Sequence, residues 1–499
     1  MKISTAARLM RADTTATAEF FDKELTGFSI DTRTVAPGEL FFALAPEDYR
    51  RHYFTATQFD DAHRYLAQAF ARGAAGAVVL RARGAGDEEL QALSDRLLLV
   101  DDVIDALQAV AHGVLEHWDG QVVGITGSAG KTTAKDLTAH VLKSAGRRVS
   151  KTQKNFNNEL GLPLSILQMV SAGAEATDFD AAVLEYGQSM FGEIAKLTEV
   201  APPDIGVELL VAPAHLEFFD SIEQIAAGKA QLIENLKPGG IAVLNADDER
   251  VAAMRAKHTG RTVTFGIENQ ADVMAADIER ARFGLTRFRL CTPLGEAIAE
   301  LSLPGRHNLS NALAASSVAT CFGIMPEVIA AALATARPTE MRGEVIDFAQ
   351  EFSVIDDSYN SNPASLLSMA RALAEGRAAS ADERGRRAIV VAGEMLELGA
   401  DGAALHRAAG REIASLDVDL LWGVRGLASE LIEGARDAGM SAAATRFFAT
   451  TEEAAAALLD EVRAGDLVLV KGSRSVRTDK IVTALRERFP TVGEDEPTT

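Results

Sequence analysis

QVVGITGSAGKTT, residues 121–133, joins a buried strand to a helix through a loop of small residues. Gly127 and Gly130 let backbone N–H groups wrap a phosphate, and the start of a helix attracts negative charge. Lys131 can neutralise charge on a phosphoryl group, and the hydroxyl of Thr132 can bind Mg²⁺. The pattern therefore predicts a loop for the phosphates of ATP, formed by Gly127, Ser128, Ala129, Gly130, Lys131, Thr132 and Thr133.

This loop differs at one position from the eight-residue phosphate-binding motif. The motif has glycine five residues before Gly130, where this chain has Ile125. A glycine turn that only precedes a helix is the alternative interpretation. The coincidence of strand, loop, Lys-Thr pair and helix favours phosphate binding.

Strands and helices alternate on both sides of the loop. AAVLEYG (181–187), IGVELLVA (205–212) and IAVLN (241–245) predict a parallel sheet with helices on both faces. A second alternating series after Arg342 is typical of a Rossmann-like domain, and ELFFA (39–43) and GAVVL (76–80) indicate a smaller module before the loop. We therefore expect an α/β protein of three domains: a small N-terminal α/β domain (1–105), a central P-loop ATPase-like parallel sheet (106–338) and a C-terminal Rossmann-like domain (339–499).

Composition limits the partners of the chain. Fifty basic residues against 71 acidic ones give a net charge of −21, which disfavours nucleic acid and anionic membranes. Cys291 and Cys321 are too few and too far apart for a disulfide framework, so a reducing compartment fits. Because neither a signal peptide nor a membrane span is recognisable, we expect a cytoplasmic protein without membrane insertion. We also expect a monomer.

Polar side chains at the ends of predicted strands suggest a metal site. Glu185 closes one strand, and His215 follows the next. Because ligands gather at the carboxyl edge of a parallel sheet, both side chains can join Thr132 around Mg²⁺. The alternatives are a surface glutamate and a structural histidine. Lys229 lies on a predicted helix, where a lysine is usually solvated.

Two further polar groups are candidates for binding. Asn308 and Asn311 lie one turn apart on a helix that begins after Gly305, so their amides can read an adenine edge. A helix cap with a polar face is the alternative. The cluster DDSYNSNP (356–363) ends a strand and forms either a substrate surface or a simple turn.

Together these segments resemble the Mur ligases over essentially the whole chain. The most specific are NNELGLP (157–163) and DDSYNSNP (356–363). The others are DTRT (31–34), PGELFFAL (37–44), TGSAGKTT (126–133), GEI (192–194), AHLE (214–217), GRHN (305–308), GEMLELG (393–399) and KGSR (471–474).

The resemblance implies an ATP- and Mg²⁺-dependent ligase of peptidoglycan synthesis. ATP would phosphorylate the terminal carboxylate of UDP-N-acetylmuramoyl-tripeptide. The amine of D-alanyl-D-alanine would then attack the acyl phosphate. Because ATP would be held by the middle domain and completed by the third, we expect the third domain to swing about residues 337–343.

The resemblance also implies roles for single residues. Lys131, Lys229 and His215 would be catalytic, and Thr132, Glu185, His215 and a carbamylated Lys229 would bind Mg²⁺. Asn308 and Asn311 would bind adenine, while Arg342 and Asp357 would reach ATP from the hinge and third domain. The substrate residues would be Ser29, Asp31, Thr32, Arg33, Asn157 and Asn158 for the nucleotide-peptide, and Tyr359, Asn360 and Asn362 for the dipeptide.

Three departures from the family pattern affect details. After Leu44 the chain reads APEDYRRHYF, where the family has a glycine-containing loop ending in Asp-Gly-His. Tyr186 follows Glu185 in place of Leu or Met, and the usual Asn is missing before His215. These departures remove none of the proposed ligands.

Three alternative functions stay open. A sister ligase for another amino acid or polyglutamate would share the ATP machinery, although DDSYNSNP argues against it. A non-catalytic binding protein is disfavoured by the intact set of proposed site residues, Lys131, Thr132, Glu185, His215 and Lys229. A P-loop kinase or motor-type ATPase leaves the first and third domains unexplained.

Overall fold

Three sheets organise the chain. A computed structural model describes residues 1–492 apart from 15, 53, 55–59, 85–87, 119, 214–217, 283 and 379–385. Each sheet falls within one of the three predicted domains. The three-domain α/β fold is confirmed, while the domain boundaries stay predictions.

The N-terminal sheet has four parallel strands. Its elements are α1 (Ile3–Met10), α2 (Ala18–Asp22), β1 (Gly27–Ser29), β2 (Glu39–Phe42), α3 (Pro46–Arg51), α4 (Leu66–Ala71), β3 (Gly76–Leu80), α5 (Arg81–Gly84), α6 (Glu88–Ala92) and β4 (Leu97–Val100). The strands pair in chain order. Leu40 and Phe42 share one apolar core with Leu162 and Leu184 of the central domain, so burial joins these two domains.

The central sheet has nine strands. The helix α7 (Val103–Glu116) leads into it, capped by the carboxylate of Asp102. The elements that follow are β5 (Gln121–Thr126), α8 (Lys131–Ser144), β6 (Val149–Lys151), α9 (Gly161–Leu167), β7 (Ala181–Glu185), α10 (Glu193–Val200), β8 (Ile205–Glu208), α11 (Ile222–Glu234), β9 (Ile241–Asn245), α12 (Glu249–Ala253), β10 (Arg261–Gly266), β11 (Val273–Arg282), β12 (Leu285–Thr292), β13 (Gly295–Leu301), α13 (Arg306–Cys321) and α14 (Pro326–Thr335).

Most of this sheet is parallel, as predicted. The order is β13-β12-β11-β10-β9-β8-β5-β7-β6, and β5, β7, β8 and β9 are mostly apolar and buried along almost their whole length because both faces are covered. The antiparallel extension β11-β12-β13 was not predicted. Strand β8 ends four residues before the predicted 212, because the residues after Glu208 bond to the phosphate loop: the N–H of Ser128 donates to the carbonyl of Leu210 at 2.9 Å.

The C-terminal sheet has six strands in the order β14-β15-β19-β16-β17-β18, with only the edge strand β14 antiparallel. Its elements are β14 (Glu344–Asp347), β15 (Ser353–Asp357), α15 (Pro363–Ala378), β16 (Ala388–Gly393), α16 (Gly402–Ala414), β17 (Leu420–Val424), α17 (Ala428–Asp437), β18 (Thr445–Phe448), α18 (Thr451–Glu461), β19 (Leu467–Lys471) and α19 (Asp479–Arg488). Within the part of the chain that the structure describes, every helix is too short or too polar to cross a membrane.

Candidate active site

A cavity of about 320 Å³ lies where the strand ends of the central and C-terminal sheets face each other. The central domain lines it with residues 128–133 of the phosphate loop and with Asn157, Asn158, Glu185, Asn308 and Asn311. The C-terminal domain lines it with Arg342, Asp357, Tyr359, Asn360, Asn362 and Lys471. The structure thus gathers most of the predicted site residues into one volume.

The phosphate loop has the backbone that its sequence predicts. Gly130 has φ +85° and precedes the first residue of α8, and a Cβ there would lie 2.5 Å from Oδ1 of Asn311. Only glycine fits both the left-handed conformation and this close approach. The ammonium of Lys131 donates to the carbonyl of Gly127 at 2.9 Å. Burial lowers the pKa of Lys131, although the charge of Glu185 opposes the shift, so a bound anion would stabilise the ammonium.

Thr132 and Glu185 meet directly at the sheet edge. The hydroxyl of Thr132 donates to Oε2 of Glu185 at 2.9 Å, and the amide of Asn157 donates to Oε1 at 2.8 Å. Both Thr132 and Glu185 are buried. A hydroxyl and a carboxylate are hard oxygen donors, so this pair fits Mg²⁺. His215, the third predicted ligand, lies outside the described residues.

Lys229 is buried on α11, with 3% of its surface exposed, so the solvated position that spacing alone suggested is wrong. Glu208 ends the neighbouring strand β8, pairs in register with Thr126, and is also fully buried. Neither of its carboxylate oxygens has a hydrogen-bond partner among the described residues. Burial lowers the pKa of Lys229, reinforced by the charge of Lys131, and burial raises the pKa of Glu208.

Glu208 was missed by the sequence analysis. The available signal was an acid inside the otherwise apolar run IGVELLVA, since a carboxylate in a strand covered on both faces needs a reason to be there.

Asn308 and Asn311 share one face of α13, as predicted. The amide of Asn311 donates to Oδ1 of Asn308 at 3.3 Å, and the amide of Asn308 donates to the carbonyl of Pro304 at 2.8 Å. Both side chains are buried and both line the cavity beside the phosphate loop. Binding of adenine by this pair stays a prediction.

The C-terminal wall of the cavity contains an ion pair. The ammonium of Lys471 donates to Oδ2 of Asp357 at 2.5 Å and to the carbonyl of Asn360 at 2.8 Å. The guanidinium of Arg342 lies 3.9 Å from the ring centroid of Tyr359, a cation–π contact. Lys471 was not predicted as a site residue, although its place at the end of a strand was a usable signal for one.

Two predicted substrate residues also have structural roles. Oδ1 of Asn362 accepts the N–H of Ser365 at 2.9 Å in the first turn of α15. Oδ1 of Asn158 accepts the N–H of Gly161 at 2.8 Å at the start of α9. Because both side chains also line the cavity, capping and substrate contact remain compatible.

The predicted nucleotide contacts of the first domain are separate from this cavity. Ser29 ends β1, the other three residues (Asp31, Thr32 and Arg33) follow it, and none of the four lines the cavity. A hydrogen-bonded ion pair of 2.7 Å with Arg33 lowers the pKa of the Asp31 carboxyl. Their role in binding the nucleotide stays a prediction.

The chain is similar to known ligases along nearly its whole length. Residues 125–319 match the family model of the Mur ligase middle domain, and residues 341–474 match that of the Mur ligase, glutamate ligase domain. The UDP-N-acetylmuramoyl-tripeptide–D-alanyl-D-alanine ligase of Mycobacterium tuberculosis is 36% identical over 505 residues, which cover 93% of this chain and 92% of that protein.

Solved structures show the same three-domain arrangement. MurF from Acinetobacter baumannii superposes with a TM-score of 0.81 at 26% identity and covers 97% of this chain and 98% of its own. MurF ligase from Thermotoga maritima, solved in complex with ADP, has a TM-score of 0.76 at 28% identity and covers 93% of this chain and 98% of its own. The chain therefore belongs to the Mur ligase family.

Proposed function

We propose that this chain joins D-alanyl-D-alanine to UDP-N-acetylmuramoyl-tripeptide, consuming ATP and releasing ADP and phosphate. The product is the UDP-N-acetylmuramoyl-pentapeptide of peptidoglycan synthesis. The observation that carries the proposal is the single cavity in which the phosphate loop and the Thr132–Glu185 pair face the ion-paired wall of the third domain. Because ATP and UDP-linked sugars are cytoplasmic metabolites, we propose a cytoplasmic location.

The first step is phosphoryl transfer to the tripeptide. An oxygen of its terminal carboxylate attacks the γ-phosphorus of ATP, and the bond to the bridging oxygen breaks and releases ADP. The N–H groups that begin α8 and the ammonium of Lys131 hold the phosphates in line. Thr132 and Glu185 would hold Mg²⁺, which offsets charge on the phosphoryl oxygens when bound.

The second step is amide formation. The amine of the dipeptide attacks the acyl carbon, a tetrahedral intermediate forms, and phosphate leaves as the amine loses its proton. The phosphorylation is required because a carboxylate is a poor electrophile with no good leaving group. Tyr359 and Asn360 lie on the wall that faces the phosphate loop, which supports a role in placing the dipeptide.

We also propose that Lys229 is carbamylated and that His215 is a metal ligand. Carbamylation joins Nζ to carbon dioxide with loss of a proton, and it requires the neutral amine. Burial and the charge of Lys131 favour that neutral form. Carbon-13 NMR with labelled bicarbonate would show a carbamate signal in the native protein and none in Lys229→Met.

The test of the function is phosphate release with ATP, Mg²⁺ and UDP-N-acetylmuramoyl-tripeptide, with and without D-alanyl-D-alanine. Mass spectrometry follows the UDP-pentapeptide, and Lys131→Met is the inactive control. We expect dipeptide-dependent release with that product. Release that requires a different amine would show that the second substrate is that amine and not D-alanyl-D-alanine. Release without any amine would indicate a kinase or an ATPase.

A further inference from the structure

Gln188 is a buried amide without a partner. It lies three residues after Glu185, lines the cavity, and has 6% of its surface exposed. Neither Nε2 nor Oε1 has a hydrogen-bond partner among the described residues. Burying a donor and an acceptor unpaired is unfavourable, so such a group in a cavity indicates a ligand that pairs with it.

The helix behind Gln188 makes room for this amide. Gly228 lies in the middle of α11, where glycine is less favourable than alanine. A Cβ at Gly228 would overlap Nε2 of Gln188 and would lie 3.4 Å from the ring of Phe191. Glycine at position 228, one residue before Lys229, therefore permits the side-chain amide of Gln188 to pack against α11.

The hydrogen-bonding chemistry of the amide restricts its ligand. A phosphate offers only acceptors, and a metal ion takes only the oxygen, so either would leave half of the Gln188 amide unpaired. In an extended peptide the N–H and the carbonyl of one residue point to the same side, so they pair with Oε1 and Nε2 respectively. Among the proposed substrates, the tripeptide must bring its terminal carboxylate into this cavity.

We propose that the side-chain amide of Gln188 binds the backbone N–H and carbonyl of one residue of the UDP-linked tripeptide and positions its terminal carboxylate. The inference rests on the proposed function. It makes Gln188 a substrate-binding residue that acts before the phosphoryl transfer, and it gives Gly228 a supporting role.

The experiment compares Gln188→Ala, Gln188→Leu, Gly228→Ala and the double variant Gln188→Ala/Gly228→Ala. Isothermal titration measures binding of UDP-N-acetylmuramoyl-tripeptide, and steady-state kinetics give KM for each substrate. Gln224→Ala is the matched control. Gln224 lies on α11, as Gly228 does, but its side-chain oxygen accepts the N–H of Asp220 and it does not line the cavity.

We expect Gln188→Ala to raise Kd and KM for the UDP-tripeptide about tenfold, as for loss of paired hydrogen bonds. KM for ATP and for the dipeptide should stay within about twofold. Gln188→Leu keeps the volume of the side chain and should show the same loss. The double variant should stay as weak as Gln188→Ala, because removing the steric overlap does not restore the amide.

Three results would overturn the inference. They are unchanged binding in Gln188→Ala and Gln188→Leu, a shift confined to ATP or Mg²⁺, or a double variant that regains native affinity and thereby shows a packing role. Failure of the proposed function is a different result, since the native protein would then bind no UDP-tripeptide or form no pentapeptide.

Discussion

The carboxyl edges of the two larger sheets differ in whether their ionisable side chains are paired with each other. At the C-terminal edge, Lys471 and Asp357 form an ion pair of 2.5 Å that closes within the protein. At the central edge, Lys131 and Glu208 form no ion pair among the described residues, and both oxygens of Glu208 are without hydrogen-bond partners. The charges of the C-terminal edge are therefore paired before any ligand binds, whereas at the central edge the pairing is left to a ligand.

This difference has a physical consequence for stability. A buried charge without a partner costs free energy, whereas breaking a closed buried pair leaves such a charge behind. Substitutions at the central edge should therefore remove activity with little loss of stability. Substitutions at the C-terminal edge should lower stability first.

The largest expected effect is that of Lys131→Met. It should lower kcat about a thousandfold, as when a fixed charge-stabilising group is removed. The melting temperature should not fall, because burial disfavours the ammonium and lowers the pKa of Lys131. ADP formation and thermal unfolding measure the two quantities.

Lys135 is the matched control, since it is a buried lysine of the same helix whose ammonium donates to the carbonyl of Thr152 at 3.0 Å. Lys135→Met should lower the melting temperature and keep most of kcat. The comparison fails if Lys131→Met unfolds the protein while Lys135→Met abolishes catalysis.

Lys471→Met should cost about 3 kcal/mol of unfolding free energy, because it leaves the Asp357 side chain, only 16% exposed, without its partner. Adding Asp357→Asn should recover part of that loss, since the remaining charge is removed. Urea unfolding of the two single variants and the double variant measures the coupling. Additive losses would show that the pair contributes nothing as a pair.

The junction of the first two domains contains a second closed cluster. Nδ1 of His52 lies 2.6 Å from Oε2 of Glu159, and Nε2 lies 3.2 Å from Oδ1 of Asp102. Burial favours the neutral ring, but hydrogen bonds to Asp102 and Glu159 outweigh it and raise the pKa of His52 to about 9. The stabilisation is full below pH of about 6.5 and is lost as pH rises through 9.

Wild-type stability should therefore decrease by on the order of 2 kcal/mol over this range. His52→Gln should show little of that slope. His117→Gln is the control, because the ring of His117 bonds to the carbonyl of Gly113 in the preceding helix at 2.7 Å rather than to a carboxylate, so the wild-type slope should be kept. A flat wild-type profile would contradict the assignment to His52.

The smallest expected effect is that of Thr132→Val, which removes the hydroxyl beside Glu185. The Mg²⁺ concentration for half-maximal activity should rise about tenfold, since one donor is lost from the site. Thr138→Val removes a hydroxyl of the same helix that donates to the carbonyl of Ala134, and it should leave the Mg²⁺ dependence unchanged. Equal shifts in both variants would point to a general change in α8.

Much of the site could be read from local sequence. The run 121–133 specifies a strand, a tight loop and a helix start, because glycine positions, small residues and apolar periodicity act over a few residues. Asn308 and Asn311 share a face for the same reason, since helix spacing alone places them together. The Rossmann-like strand series after Arg342 followed from its pattern as well.

Other features depended on contacts between distant segments. The burial of Lys229, the orphaned carboxylate of Glu208 and the fit of Gln188 against Gly228 arise where α11 packs on the strand ends. No local pattern distinguishes a buried lysine from a solvated one on a helix.

The sequence by itself thus determined most of the parallel strands, the phosphate loop and the family, because these depend on the order and spacing of nearby residues. Only the tertiary structure decided which charged side chains are paired within the protein and which are left for a ligand to pair. That choice depends on burial and on partners such as Asp357 and Lys471, which lie more than a hundred residues apart in the chain and meet only when β15 pairs with β19.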